Sequence, residues 1–106
     1  MSTITLTEIV QDIHAMDEEL WHYEARYGLR SQYFYELYQA GRLPDEDPAE
    51  ARDYSDWAAC YEIKLHREEL YDTLVRDVLQ KAKSQRAVSL ADLKLTLKPL
   101  AAPVGS

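Results

Sequence analysis

An unbroken run of alternating three- and four-residue steps opens the chain: Leu6, Ile9, Ile13, Met16, Leu20, Tyr23 and Tyr27. Side chains spaced in this way line one side of an α-helix and constrain the fold more than any other feature. The start is marked by Thr5 and Glu8, a T-x-x-E capping box in which the Thr5 hydroxyl can meet the Glu8 amide, with Ile4 and Ile9 at the flanking staple positions. Gly28 stands where a helix usually stops. Fully buried, such side chains contribute about 1.5–3 kcal/mol each, so this seam has an upper bound of roughly 10–20 kcal/mol that an isolated helix would forfeit. The helix therefore requires a surface to lie on.

The rest of the chain supplies candidates. Ser31 is placed to cap a short helix with Tyr33, Phe34, Leu37 and Tyr38 on one side, ending before Gly41. The segment 42–47 holds Pro44 and three acids and reads as a turn. Asp47, Pro48 and Glu50 then form a second start signal, and a third helix is expected from Pro48 to about Lys83. Its apolar residues make two stripes: Tyr54, Trp57, Ala58, Tyr61 and Leu65 on one side, and Cys60, Ile63, Leu70, Leu74 and Val78 on roughly the other. Such a helix is buried on two faces, or it breaks near the charged run from His66 to Glu69. Either the first two helices flank it within one subunit, or one face packs internally and the other against a second copy, giving a homodimer.

Beyond Ser84 the period changes. Leu93, Leu95 and Leu97 alternate with polar residues before Pro99, as in a strand, although Ser89 to Asp92 could instead open a helical turn. A strand alone in a helical protein leaves its edges unpaired, so this one is expected to join another chain or a symmetry mate. The expected architecture is all-α: an antiparallel helical hairpin of two long helices with a short connecting helix, and a C-terminal tail extended as a strand if it orders. Residues 1–86 form the helical domain and 87–106 the basic tail.

Charge separates these two parts. Residues 1–80 carry 18 acidic against 7 basic side chains, and residues 81–106 carry 1 against 5. An acidic body repels a phosphate backbone, which argues against nucleic acid as a ligand and suits a basic protein partner. No stretch has the roughly twenty apolar residues that span a bilayer, and the first residues lack the pattern of a signal peptide, so a cytoplasmic protein is expected. Cys60 is the only cysteine, which rules out an internal disulfide and reads as a buried, inert thiol.

The chemistry-bearing patterns are sparse. Glu19 and His22 match E-x-x-H, the spacing used by di-metal helical bundles, yet they lie to the sides of the seam and the second copy such bundles need is missing. No nucleophile motif or phosphate-cradling loop is present, so no catalytic residue, metal or cofactor is expected. Aromatic residues are the more informative group, since they serve both cores and interfaces. Trp21 and Tyr35 fall off the stripes of their own helices and are expected to be exposed contact residues, joined by Leu93, Leu95 and Leu97 of the tail.

Tyr27-Gly28-Leu29, Ser31, Phe34-Tyr35, Gly41-Arg42-Leu43, the acidic turn and Trp57-Ala58-Ala59-Cys60-Tyr61 together resemble a group of short bacterial helical proteins encoded beside small toxin genes. The resemblance covers about residues 4–80. It implies the antitoxin half of a toxin–antitoxin pair, a non-enzymatic protein that neutralises a cognate toxin by direct binding, with the tail free to adapt to the partner and add a strand to it. No recognition helix with base-reading side chains is visible, so control of its own operon is not expected. The rival expectation is a self-assembling structural or scaffold protein.

Overall fold

Five elements follow one another in the computed structural model, which describes residues 3–83, 87–91 and 97–99: β1 (Thr3–Thr5), α1 (Leu6–Tyr27), α2 (Ser31–Gln39), α3 (Pro48–Lys81) and β2 (Leu97–Pro99). The fold is mostly helical. No helix among the described residues is long and apolar enough to cross a membrane. The chain divides into two compact units, one built from Met1–Ile13 and Arg67–Ser106 and the other from His14–His66.

In the first unit, Thr5 ends β1 and caps α1 at once, its Oγ1 accepting the Glu8 amide at 3.1 Å. The three β1 residues are β-branched and suit an extended backbone. They pair antiparallel with β2 in the register Thr3 with Pro99, Ile4 with Lys98 and Thr5 with Leu97. The segment Leu97–Pro99 thus finds its partner at the other end of the same chain, where sequence reasoning expected a second chain. Of the expected strand residues, Leu93 and Leu95 lie outside the described residues. Ile4, Leu6, Ile9 and Leu74 form the core of this unit, with Ile13, Leu70, Tyr71 and Val75 packed on it. Ile4 and Ile9 are therefore both inside, as the staple requires.

The second unit is aromatic. Leu20, Phe34, Trp57 and Ala58 are buried, and Tyr23, Tyr27, Leu29, Tyr54 and Tyr61 are among the side chains packed around them. The Trp57 ring stacks on Phe34 with centroids 3.8 Å apart and planes 3° from parallel, and Tyr23 and Tyr27 lie nearly parallel to it at 5.6 and 5.7 Å. Such ring pairs add to the large area each aromatic hides. Gly28 ends α1 with φ +68°, a conformation that costs a Cβ-bearing residue about 1–2 kcal/mol. Asp47 Oδ1 accepts the Ala49 amide at 2.9 Å and starts α3.

α2 departs from its expected form in two ways. Ser31 does not cap it, because Arg30 is the N-cap residue and makes no side-chain cap bond. Instead Glu24 reaches over from α1, and its Oε2 accepts both the Ser31 amide at 2.9 Å and the Ser31 hydroxyl at 2.7 Å. The same Oγ accepts the Trp57 Nε1–H at 2.8 Å. This polar anchor turns the helix: Phe34 is buried and Tyr35 half-buried, whereas Tyr33 and Tyr38, expected inside, are exposed.

α3 does not break at His66–Glu69. Tyr54, Trp57, Ala58 and Tyr61 of the first stripe are covered in the second unit, and Leu70 and Leu74 of the other stripe are covered in the first unit. Lys64 and Arg67 sit where the stripes meet, and their charges are met within their own units by Asp17 at 2.8 Å and Asp12 at 3.6 Å. Much of the apolar area that pointed to a second copy is thus covered within one chain, with Ile63, Leu65 and Leu79 left exposed on α3.

Candidate functional site

Asp17, Trp21 and Glu24 stand at positions i, i+4 and i+7 of α1 and so share one side of the helix, next to the buried seam residue Leu20. Trp21 is 62% exposed, which is unusual for so large an apolar ring. It borders an open cleft of about 430 Å³ shared with Asp17, Glu24, Leu29, Arg30 and Lys64. A smaller cleft of about 170 Å³ is lined by Glu24, Arg30 and Lys64 again, together with Tyr33 and Tyr61. Tyr33 is 53% exposed. Two exposed aromatic side chains therefore stand on neighbouring clefts with three charged residues in common.

The charged groups divide into internal and surface roles. Lys64 Nζ is paired with Asp17 Oδ1. The Glu24 side chain is only 14% exposed, and its Oε2 is occupied by the two bonds to Ser31. Its other oxygen, Oε1, meets Arg30 Nε at 3.5 Å, and the Arg30 side chain is largely in solvent. That contact is loose beside the hydrogen bonds on Oε2.

A second polar group lies in the same unit. Tyr27 donates to Asp53 Oδ2 at 2.7 Å, and Arg26 pairs with the same oxygen. Burial, and then the bond to Asp53, push the Tyr27 phenol up to about 12. Tyr27 in the first place, and Arg26 after it, hold the Asp53 carboxyl below its ordinary range. Tyr35 donates to Glu62 at 2.7 Å and rests on Tyr61 with ring centroids 5.1 Å apart. Cys60 Sγ lies 3.7 Å from the Met16 carbonyl oxygen and from its Sδ, and burial pushes the thiol up and so favours its protonated, unreactive form.

The site residues expected from sequence fare differently. Trp21 is exposed and stands on the larger cleft. Tyr35 is not exposed as expected, because Tyr61 and Glu62 of α3 hold it; its place as the outward-facing aromatic of α2 falls to Tyr33. Leu93 and Leu95 lie outside the described residues, and Leu97 is described only as the first residue of β2. Glu19 and His22 are exposed on α1, and among the described residues no three metal-ligating side chains come together. Sequence reasoning missed Glu24, Arg30, Tyr33 and Lys64. The D-x-x-x-W-x-x-E spacing of Asp17, Trp21 and Glu24 was the available signal, since it puts carboxylates one turn to either side of an off-seam tryptophan.

Compared with protein-family models, with curated proteins and with solved structures, the chain matches none.

Proposed function

We propose that the chain is a non-enzymatic protein-binding protein of the cytoplasm, the antitoxin of a toxin–antitoxin pair, which neutralises its toxin by direct binding. One observation carries the binding part of this reading: Trp21 stands exposed on an open cleft whose underlying polar groups already satisfy one another. Exposed tryptophan beside a cleft is the usual anchor of a protein contact, because it adds much apolar area at little entropic cost. The choice of a toxin as partner rests on the sequence resemblance and on the acidic charge of residues 1–80. In this reading the two long helices fold back as an antiparallel hairpin bridged by α2. The pairing of Arg26 with Asp53 and of Asp17 with Lys64 supports it, since the numbers fall on one helix as they rise on the other.

Co-expression with the product of the neighbouring gene tests the proposal. A complex that survives size-exclusion chromatography, and that restores growth to cells making the neighbour alone, is the expected result. Failure of both refutes it. A second reading, a self-assembling structural protein, is favoured by Ile63, Leu65 and Leu79, which stay exposed on α3. It predicts a stable homo-oligomer that ignores the neighbouring product and breaks up when Ile63 and Leu79 are made polar.

A further inference from the structure

We propose that the Trp21 cleft is an arginine-binding site, in which the guanidinium of a partner segment stacks on the Trp21 indole and pairs with the Glu24 carboxylate one turn away. The inference rests on the binding role proposed above and names the chemistry of the partner.

Three observations converge on it. Trp21 and Glu24 stand one turn apart on one side of α1, so a planar cation lying on the indole has the Glu24 carboxylate within reach, while Asp17, one turn the other way, is taken by Lys64 at 2.8 Å. Tryptophan is the best aromatic face for a cation, and a guanidinium can stack flat while its N–H groups fork to carboxylate oxygens. Glu24 is also prepared for the role. Its Oε2 is held by Ser31, which fixes the carboxylate in place, while the contact of Oε1 with the solvated Arg30 side chain of the same chain is loose at 3.5 Å. An incoming guanidinium can take the place of Arg30 at Oε1 and leave the anchor of α2 intact. The unit that carries the cleft adds long-range attraction, with 12 acidic against 5 basic side chains over residues 14–66. Lysine would answer the charge but not the stacking and the fork together, so the preference is for arginine.

The site makes a counter-intuitive demand on Arg30. As an internal stand-in for the ligand, it competes, and its removal should tighten binding.

The probe is N-acetyl-arginine amide, titrated into the full chain while the two tryptophan indole N–H signals are followed by NMR. The Trp21 signal should move saturably and that of the buried Trp57 should not. N-acetyl-citrulline amide, which keeps the shape and loses the charge, should bind roughly tenfold more weakly, and N-acetyl-lysine amide about threefold more weakly. Arg30→Ala should strengthen binding about threefold. Trp21→Ala should abolish it, followed on the backbone signals of Asp17 and Glu24. Glu24→Gln, which keeps an oxygen for Ser31, should weaken it with Trp57 unmoved. Equal shifts from citrulline and arginine, weaker binding in Arg30→Ala, or shifts centred on the acidic turn at 45–50 would overturn the proposal. If the neighbouring protein binds through Trp21 while the arginine probe does not, this inference fails and the proposed function stands. If the probe binds and the neighbouring protein does not, the reverse holds.

Discussion

Replacing Ser31 by alanine deletes one oxygen atom, yet that atom joins three parts of the aromatic unit. Ser31 Oγ donates to Glu24 at 2.7 Å and accepts from Trp57 at 2.8 Å. Trp57 is 1% exposed, so in Ser31→Ala its indole N–H is left buried without a partner, at a cost of about 1–3 kcal/mol. The bond to the carboxylate is lost as well. Because the Ser31 amide still holds Glu24, the lower end of the charge-assisted range applies, about 1.5 kcal/mol. The expected destabilisation is about 2.5–4.5 kcal/mol, a large part of the ~5–15 kcal/mol that holds a typical domain together. Urea unfolding followed by far-ultraviolet circular dichroism and by tryptophan fluorescence measures it. The double-mutant cycle with Trp57→Phe sharpens the test, because without the indole N–H nothing remains for Ser31 Oγ to satisfy on that side. Ser31→Ala should then cost about 1 kcal/mol less than in the native background. Additivity within about 0.5 kcal/mol would show that the two groups are not coupled and would refute the anchor as described.

Further outcomes follow from the same structure. Gly28→Ala should lose about 1 kcal/mol in chemical unfolding and Gly28→Asn less, because φ is +68° there and asparagine tolerates that region better. Trp21→Ala should leave stability within about 0.5 kcal/mol of the native chain, since the ring is mostly in water. Carbon-13 NMR titration of the tyrosine rings should find Tyr27 still protonated when an ordinary phenol, near 10, is half ionised, with its own midpoint at about 12. Its contribution to stability is then complete below 10 and disappears as pH rises through about 12. Asp53 acts with the opposite sign: its carboxyl is held low, so its contribution is complete above the ordinary carboxylate range and fades as pH falls through the lowered value. Tyr27→Phe should remove the first dependence and weaken the second.

Elements that depend on local chemistry were legible in the sequence. The Thr5 cap, the seam from Leu6 to Tyr27, the Gly28 stop and the Asp47–Pro48 start are all found, because each is determined within a few residues. The misreadings share one cause, a partner distant in sequence. Ser31 looks like a cap, but Glu24, seven residues earlier, does the capping and Trp57 draws the hydroxyl inward. Tyr35 looks exposed from the pattern of α2 alone, yet Glu62 and Tyr61 await it on α3. The two stripes of α3 suggested two partners because a wheel projects both ends of a long helix onto one circle, whereas Trp57 and Leu74 are covered in different units of the same chain. Thr3 to Thr5 was read only as the approach to a helix, since nothing nearby reveals that Leu97–Pro99 lies alongside. The Trp21 cleft was half legible: the exposed ring follows from its place off the seam, whereas Arg30, Tyr33 and Lys64 reach the clefts only through the packing of three helices.

Trp21 is the residue on which the functional account turns, and calorimetry with the protein encoded beside this chain tests it most directly. The native chain should bind that protein, and Trp21→Ala should bind it about 30-fold more weakly or worse, as for a contact worth about 2 kcal/mol at the centre of an interface. Affinities that agree within about twofold, for a variant that unfolds like the native chain, would mean that the partner docks elsewhere and that the exposed indole plays no part in recognition.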